Sequence, residues 1–423
     1  FKKKLTYLEH KMKKITLFSV IILSIVPFVF AKNGPIKVGH LSYHTGAFAE
    51  VGPWFDGITD FTLGIINEDP PLGRPLIAIH QDIGTIGEAA AARKLIQKEG
   101  VEILLNPAHE YASYRDWMKQ YLKANNSPLM PSVHGGGIQK DIGGVPEEPI
   151  FRGAPMDSGQ ATAAVLKAKQ EGAKRVVLVA TEIEGSQLQL EAAIHASKMI
   201  GLNIVDEISV GSEQPSYRAE VNRISKSNPD TMLIFSQAQD GGTIVKQLAE
   251  SGLSLNIIGT TEWMSDAFPN TATKQALDQH KEVWVSGFSY VDGPAFDFYK
   301  PRLESSKYAK IVNELANSYN IQYYDVLVVT ALAIEKAGST VASEWAKQVR
   351  KVAMGPGKKV YTYKEGIDAI RSGQQIDYSG LTGEFDYSAT GTVSGLYGIF
   401  EWQNGILVKI SSVDGKAVLD NDL

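Results

Sequence analysis

Residues 173–187 read AKRVVLVATEIEGSQ. Two basic residues give way to five apolar ones in a row, and then to Thr181 and Glu182. A strand with one wet face would alternate. An unbroken apolar run suits a strand covered on both faces, so RVVLVA (175–180) is predicted as a buried strand.

The pattern repeats outward from there. A helix is predicted over 159–171, before that strand, and another over 187–200, after it. NIVDEISV (203–210), a helix over 217–227, TMLIFSQ (231–237), a helix over 242–251 and NIIGTT (256–261) follow. Upstream the same rhythm runs through IKVGHL (36–41) and a helix from Pro53 with Phe55, Ile58, Phe61, Leu63 and Ile66 on its apolar face. It continues with LIAIHQ (76–81), helix 88–98, EILL (102–105), helix 114–123 and PLMPSV (128–133). Strands alternating with helices of this length predict βαβ units and parallel sheets. Two such runs, parting near residue 155, predict an α/β protein of two Rossmann-like lobes. Residues 305–337 return to helix. Residues 382–410 alternate, with turn signals at Ala389-Thr390-Gly391 and Gln403-Asn404-Gly405, and predict two or three strands with at least one antiparallel pair.

The chain has 423 residues, 43% apolar and 21% charged, and no cysteine. That composition is ordinary for a folded protein. It excludes disulfides, thiolate metal sites and cysteine nucleophiles. From Met12 the sequence reads MKKITLFSVIILSIVPFVFAK. Lys13 and Lys14, a largely apolar run from Ile15 to Phe30, and Val29-Phe30-Ala31 have the order of a signal peptide cleaved after Ala31. The run is too short to span a bilayer comfortably. The start is expected at Met12, with residues 1–31 as the signal region. With no cysteine there is no site for a bacterial lipid anchor, and a periplasmic location is expected. Removing 1–31 leaves 36 basic and 46 acidic residues, a net charge of −10. No basic cluster remains, so nucleic acid is not an expected partner.

In open α/β sheets, ligands bind beyond the carboxyl ends of the strands. The candidates there are Tyr43 and His44, Asp82, His109-Glu110-Tyr111, Ser132 and His134 in the first run. In the second run they are Glu182, Gln237, Glu262 and Trp263. Glu262 beside Trp263 suits a cation, through a charge pair and an indole face. Each candidate has a plainer competing role. Trp263 could pack, Glu262 could be a solvated charge, and His109-Glu110-Tyr111 could be a loop leading into a helix. Tyr323-Tyr324-Asp325 could cap and pack the apolar helix that follows. His44, His109 and His134 lie at strand ends, with His40 and His80 just inside, but their spacing matches no metal motif. No metal or cofactor is expected. GxSxG, HExxH, Walker and GxGxxG motifs are absent. HGGGI (134–138) lacks the elbow serine that would make it an oxyanion loop, so no enzyme activity is expected.

Taken in order, IKVGHLSYHTGAFAEVGPWFDGITDFTLGIIN, ARKLIQKEGVEILL, AKRVVLVATEIEGSQ, NPDTMLIFSQAQDGGTIVKQLAESGL and FDYSATGTVSGLYGIFEWQNG resemble the type I periplasmic binding proteins. The resemblance is closest to the branched-chain amino-acid (Leu/Ile/Val) receptors of ABC transporters, and it runs from about 36 to 410. It implies two lobes with parallel sheets joined by a three-strand hinge: 35–155 plus 288–375, and 156–287 plus 376–423. It also implies a small-molecule ligand held between them by hinge closure, an ABC permease in the inner membrane as partner, and a monomer. Alternatives are an exported ligand sensor for a membrane receptor and an exported hydrolase.

Amino-acid binders of the family hold the ligand carboxylate with hydroxyls and backbone N–H groups of two first-lobe loops, here 108–113 and 132–135. Ser132 could supply a hydroxyl. His109, Glu110 and His134 stand where small hydroxyl residues are common. Val51 replaces an aromatic before Gly52, and Glu184-Gly185-Ser186 replaces a tyrosine. Glu262 in GTTEW matches the acidic residue that takes the ammonium group, and Tyr324-Asp325 resembles the family pattern. The receptor role transfers better than the amino-acid specificity. The implied solute is amino-acid-like, an amide or an amine.

Overall fold

A computed structural model of the chain describes residues 34–45, 49, 52–107, 110–126, 130–132, 142–314, 319–393, 395–413, 417 and 418. Residues from Pro35 onward form one compact unit.

Val176–Thr181 form β6 of a seven-stranded sheet. In chain order the strands are β1 (Ile36–Ser42), β2 (Leu76–Asp82), β3 (Ile103–Leu105), β4 (Met130–Ser132), β5 (Ile150–Arg152), β6 (Val176–Thr181) and β7 (Ile204–Val210). They continue with β8 (Thr231–Phe235), β9 (Asn256–Gly259), β10 (Glu282–Phe288), β11 (Lys358–Val360), β12 (Ile376–Gly380), β13 (Gly383–Glu384), β14 (Tyr397–Gln403) and β15 (Ile406–Val413). The large sheet has the order β15-β14-β10-β9-β8-β6-β7. From β10 to β7 all pairs are parallel, and β14 and β15 are antiparallel.

Alternation across this sheet explains the unbroken apolar runs. Val177, Val179, Met232, Ile234 and Ile257 bury into one core, with side chains from helices Arg218–Ser227 and Ala238–Glu250. Val176, Leu178, Ala180, Leu233 and Ile258 bury into another, against helices Asp157–Gln170 and Glu184–Ile200. Both faces are covered, so no strand residue gains from being polar. The β14–β15 hairpin turns at Asn404-Gly405, both at positive φ (53° and 79°), which is what a two-residue hairpin loop demands.

The first lobe carries β2-β1-β3, all parallel, and the parallel pair β4-β5. Asn106, at φ 68°, interrupts regular pairing at the end of β3, but its N–H still donates to the Pro131 carbonyl at 3.3 Å. Its core joins residues from Ile36 to Phe151 with others from Ala295 to Val393, including the buried helix Tyr319–Ala337.

Ile376, Tyr378, Leu381, Phe385, Tyr387 and Val393 lie in this first core. The first core therefore extends past residue 375, as far as Val393. Two contacts hold it there: β12 pairs in parallel with β11, and buried Asp325 holds the turn after β12. Asp325 accepts hydrogen bonds from the N–H groups of Leu381 and Thr382 and from the hydroxyls of Tyr378 and Thr382, at 2.8–3.0 Å.

Three crossings between the cores run side by side. Arg152 N–H donates to Gly391 O (2.7 Å), Ser289 N–H to Leu396 O (2.8 Å) and Val291 N–H to Leu381 O (2.8 Å). Each is tied to another by backbone, so none is a free linker.

Candidate functional site

The carboxyl ends of β6, β8 and β9 gather polar side chains. Helices Glu184–Ile200 and Ala238–Glu250 begin just beyond β6 and β8, so their free N–H groups face the same end. Thr181 Oγ1 lies 2.8 Å from Ser186 Oγ and 3.2 Å from Gln237 Oε1. Thr260 Oγ1 lies 2.9 Å from Gln189 Oε1 and 2.7 Å from Glu262 Oε2. The N–H of Thr261 donates to Gln160 Oε1 at 3.0 Å. Burial raises the Glu262 carboxyl above its usual range and the Asp157 charge adds to that, against the Thr260 hydrogen bond. Glu182, at the end of β6, is exposed, and Gln237 is half-buried. Hydroxyls, amides and one carboxyl thus converge beyond the carboxyl ends of these strands.

Trp263 departs from the expectation of an indole wall for a cation. It is fully buried and stacks on Phe268 with centroids 4.1 Å apart, and its Nε1–H donates to Ser236 Oγ at 3.2 Å. A Cβ at Gly259 or Gly241 would stand 2.3 or 2.4 Å from the ring. Those two glycines let β9 and helix Ala238–Glu250 close over the indole. No ring face is left for a ligand.

In the first lobe, His109 and His134 lie outside the described residues. Tyr111, expected as a wall of the site, is fully buried. Its hydroxyl donates to Glu148 Oε1 at 2.9 Å, and Arg115 grips the same carboxylate in a two-pronged pair at 2.7 and 2.8 Å. Apolar packing on Tyr114 draws the ring inward. Tyr324 is likewise buried, edge-on to Tyr299 at 4.8 Å. Tyr43 is buried, and its hydroxyl accepts from Asn106 Nδ2 at 3.4 Å. Ser132 Oγ donates to Pro107 O at 2.9 Å, tying the end of β4 to the segment that follows β3. The exposed Glu110 accepts the N–H of Glu88 at 3.1 Å.

A second polar cluster lies on the helix-covered face of β1 and β2. His40 and His80 are direct partners across those strands. Asp56 and Asp60 sit one turn apart on helix Gly52–Ile66. Asp56 Oδ1 is 3.0 Å from His40 Nδ1 and from His80 Nδ1, and accepts from Ser42 Oγ at 2.6 Å. His44 Nε2 is 2.8 Å from Asp56 Oδ2. Burial lowers the His40 imidazole. In His80 burial also opposes charge, but hydrogen bonds to Asp56 and Asp60 win and raise it to about 9. His40, Asp56 and His80 are not legible as a cluster in the sequence, because they lie 16 to 40 residues apart along the chain. The one available signal was a histidine at the same depth in two neighbouring strands.

Two α/β lobes with parallel sheets, three adjacent crossings and polar strand ends define a two-lobed receptor fold. The chain belongs to the periplasmic binding protein family, whose model matches residues 35–405. Its fold is similar to that of the leucine binding protein LivK from Thermotoga maritima, at 17% identity and a TM-score of 0.70, covering 90% of this chain and 99% of that one. It is also similar to a solute binding protein of an ABC transporter from Rhodopseudomonas palustris in complex with p-hydroxybenzoic acid. That match has 17% identity and a TM-score of 0.67, over 90% and 97% of the two chains. An uncharacterized protein of Methanocaldococcus jannaschii is 24% identical over 267 residues, 60% of this chain and 59% of that protein.

Proposed function

We propose that the protein is the exported solute receptor of an ABC importer. It captures a small polar solute between its lobes and presents it to a permease in the inner membrane. The observation that carries this reading is the family match across nearly the whole region after the signal segment. The lobes are 35–155 plus 288–393 and 156–287 plus 394–423, and they close about the three crossings. Hinge closure of this kind is a known behaviour of periplasmic binding proteins.

On the second lobe, Glu182, Gln237 and Glu262 face the solute, with Thr181, Ser186, Gln189 and Thr260 supporting them. On the first, the loops at 108–113 and 132–135 contribute backbone N–H groups, with His109 and His134 as side-chain contacts. Solved proteins of this fold are described with isoleucine and with p-hydroxybenzoic acid. Both solutes carry a carboxylate, for which loop N–H groups are suited. Glu262 adds a partner for an amine or amide, so the solute class is amino-acid-like or amide-like.

Thermal unfolding with amino acids, amides, polyamines, quaternary amines, sugars and aromatic acids tests this. A ligand at about 100 times its Kd adds about 2.7 kcal/mol to stability. A shift confined to one amine- or amide-bearing class supports the reading, and Glu262→Ala should then weaken that ligand more than tenfold. A shift with sugars or aromatic acids alone would remove Glu262 from the site. No shift, with no solute released from denatured protein, would overturn the receptor role.

A further inference from the structure

The cluster of His40, Asp56 and His80 has a geometry unusual for hydrogen bonding alone. His40 Nδ1, His80 Nδ1 and Asp56 Oδ1 form a nearly equilateral triangle with 3.0 Å sides. As hydrogen bonds this is frustrated. If both imidazoles donate to Asp56, two N–H groups face each other at 3.0 Å. If one donates to the other, only one is left to serve the carboxylate. Asp56 Oδ1 also already accepts the Ser42 hydroxyl. His40 Nε2 is buried with no hydrogen-bond partner among the described residues, so Nδ1 is the nitrogen that this side chain offers.

We infer that His40, Asp56 and His80 form a binding site for one divalent transition-metal ion, with zinc as the simplest occupant. Two neutral imidazoles and a carboxylate are a donor set that borderline first-row ions accept. The three donor atoms lie within 4.8 Å of one another. An ion about 2.1 Å from each would stand roughly 1.2 Å off their plane, leaving its far side open to water or a further ligand.

The outer contacts are those of a built site. His80 Nε2 lies 3.1 Å from Asp60 Oδ1, which keeps a proton on Nε2, so an ion takes Nδ1 by displacing its proton. Ser42 and His44 hold the two oxygens of Asp56. Asp56 and Asp60 balance the charge of a divalent ion. The ligands come from β1, β2 and helix Gly52–Ile66, so the ion fastens that helix to the sheet beneath it. This inference stands apart from the identity of the solute.

The test uses untagged protein produced from the whole chain, stripped with chelator and dialysed into metal-free buffer. Titration with Zn2+ should show one equivalent bound with a Kd of about 10 μM or tighter and raise the unfolding temperature. Co2+ should bind with visible absorption bands reporting nitrogen ligands. His80→Gln and Asp56→Asn should each weaken Zn2+ at least tenfold, and Asp60→Asn should weaken it while keeping one equivalent. His195→Ala, on helix Glu184–Ile200 away from the cluster, controls for a histidine elsewhere. No binding by the parent protein overturns the site. So does binding that survives His80→Gln or falls only in His195→Ala. If Asp56→Asn does not fold, the half-buried His80 and the Co2+ spectrum of the parent protein decide.

Discussion

Glu88 and Glu110 cap each other. The Glu110 carboxylate accepts the N–H of Glu88 at 3.1 Å, and the Glu88 carboxylate accepts the N–H of Glu110 at 2.9 Å. Glu88 opens the helix Glu88–Arg93, and Glu110 directly precedes the helix Tyr111–Asn125. Each carboxylate therefore meets the positive end of the other's helix. The exchange ties the start of one helix to the start of the other.

The two glutamates differ in burial, and that sets the first prediction. Glu88 is buried and also accepts the Tyr114 hydroxyl at 2.6 Å, whereas Glu110 is exposed. Glu110→Ala removes one cap and should cost about 1 kcal/mol. Glu88→Ala removes a cap and strands a buried phenol, and should cost about 2–4 kcal/mol. Urea unfolding of both variants measures the difference. Equal losses would mean that burial does not distinguish the two. Unchanged stability with lost solute affinity in Glu110→Ala would return that residue to ligand contact.

Trp263 carries the second prediction. A buried indole stacked on Phe268 is a packing element, so Trp263→Ala should destabilise the empty protein by about 3–5 kcal/mol. Trp263→Phe should cost less, since a ring remains to meet Phe268. A cation wall would behave in the opposite way, with affinity lost and empty-protein stability kept. Chemical unfolding without solute separates the two roles.

The fold was legible because both lobes obey one rule. Apolar strands covered on both faces leave unbroken runs such as VVLVA, and helices leave a longer period, so β6, β8 and their neighbours could be read from the chain. The ends were less legible. Helix Glu184–Ile200 starts three residues before the expected 187, because Gly185 and Ser186, which read as loop residues, lie in its first turn. The division of the cores near 393 was hidden because it depends on Asp325 reaching a turn more than fifty residues away. Site residues were harder still. A side chain's type says that it can bind, but which way it points is decided by packing. Tyr111 and Trp263 carry polar atoms suited to a ligand, yet their rings are drawn into apolar cores where Glu148 and Ser236 satisfy those atoms. Glu262 kept its place among polar neighbours because a carboxyl gains nothing from the core.

That carboxyl gives the third prediction, on pH. Burial raises Glu262 above its ordinary value of 4.5. The folded protein therefore binds this proton more tightly than the unfolded chain does. Between 4.5 and the folded value the native state holds more protons, so unfolding free energy falls as pH rises. The contribution is fully present below 4.5 and is lost as pH climbs through the folded value. Glu262→Gln keeps a neutral side chain of the same shape and should lack this slope. Other carboxyls titrate in the same range, so the readout is the stability difference between the two proteins at each pH. The variant should gain on the parent as pH rises, and a difference flat in pH would show that Glu262 is already ionised when folded. A cationic solute adds a second reading. It binds the charged form, so its affinity should rise over the same window in the parent and stay level in Glu262→Gln. A solute whose affinity ignores both pH and the substitution makes its contacts elsewhere, on the first-lobe loops.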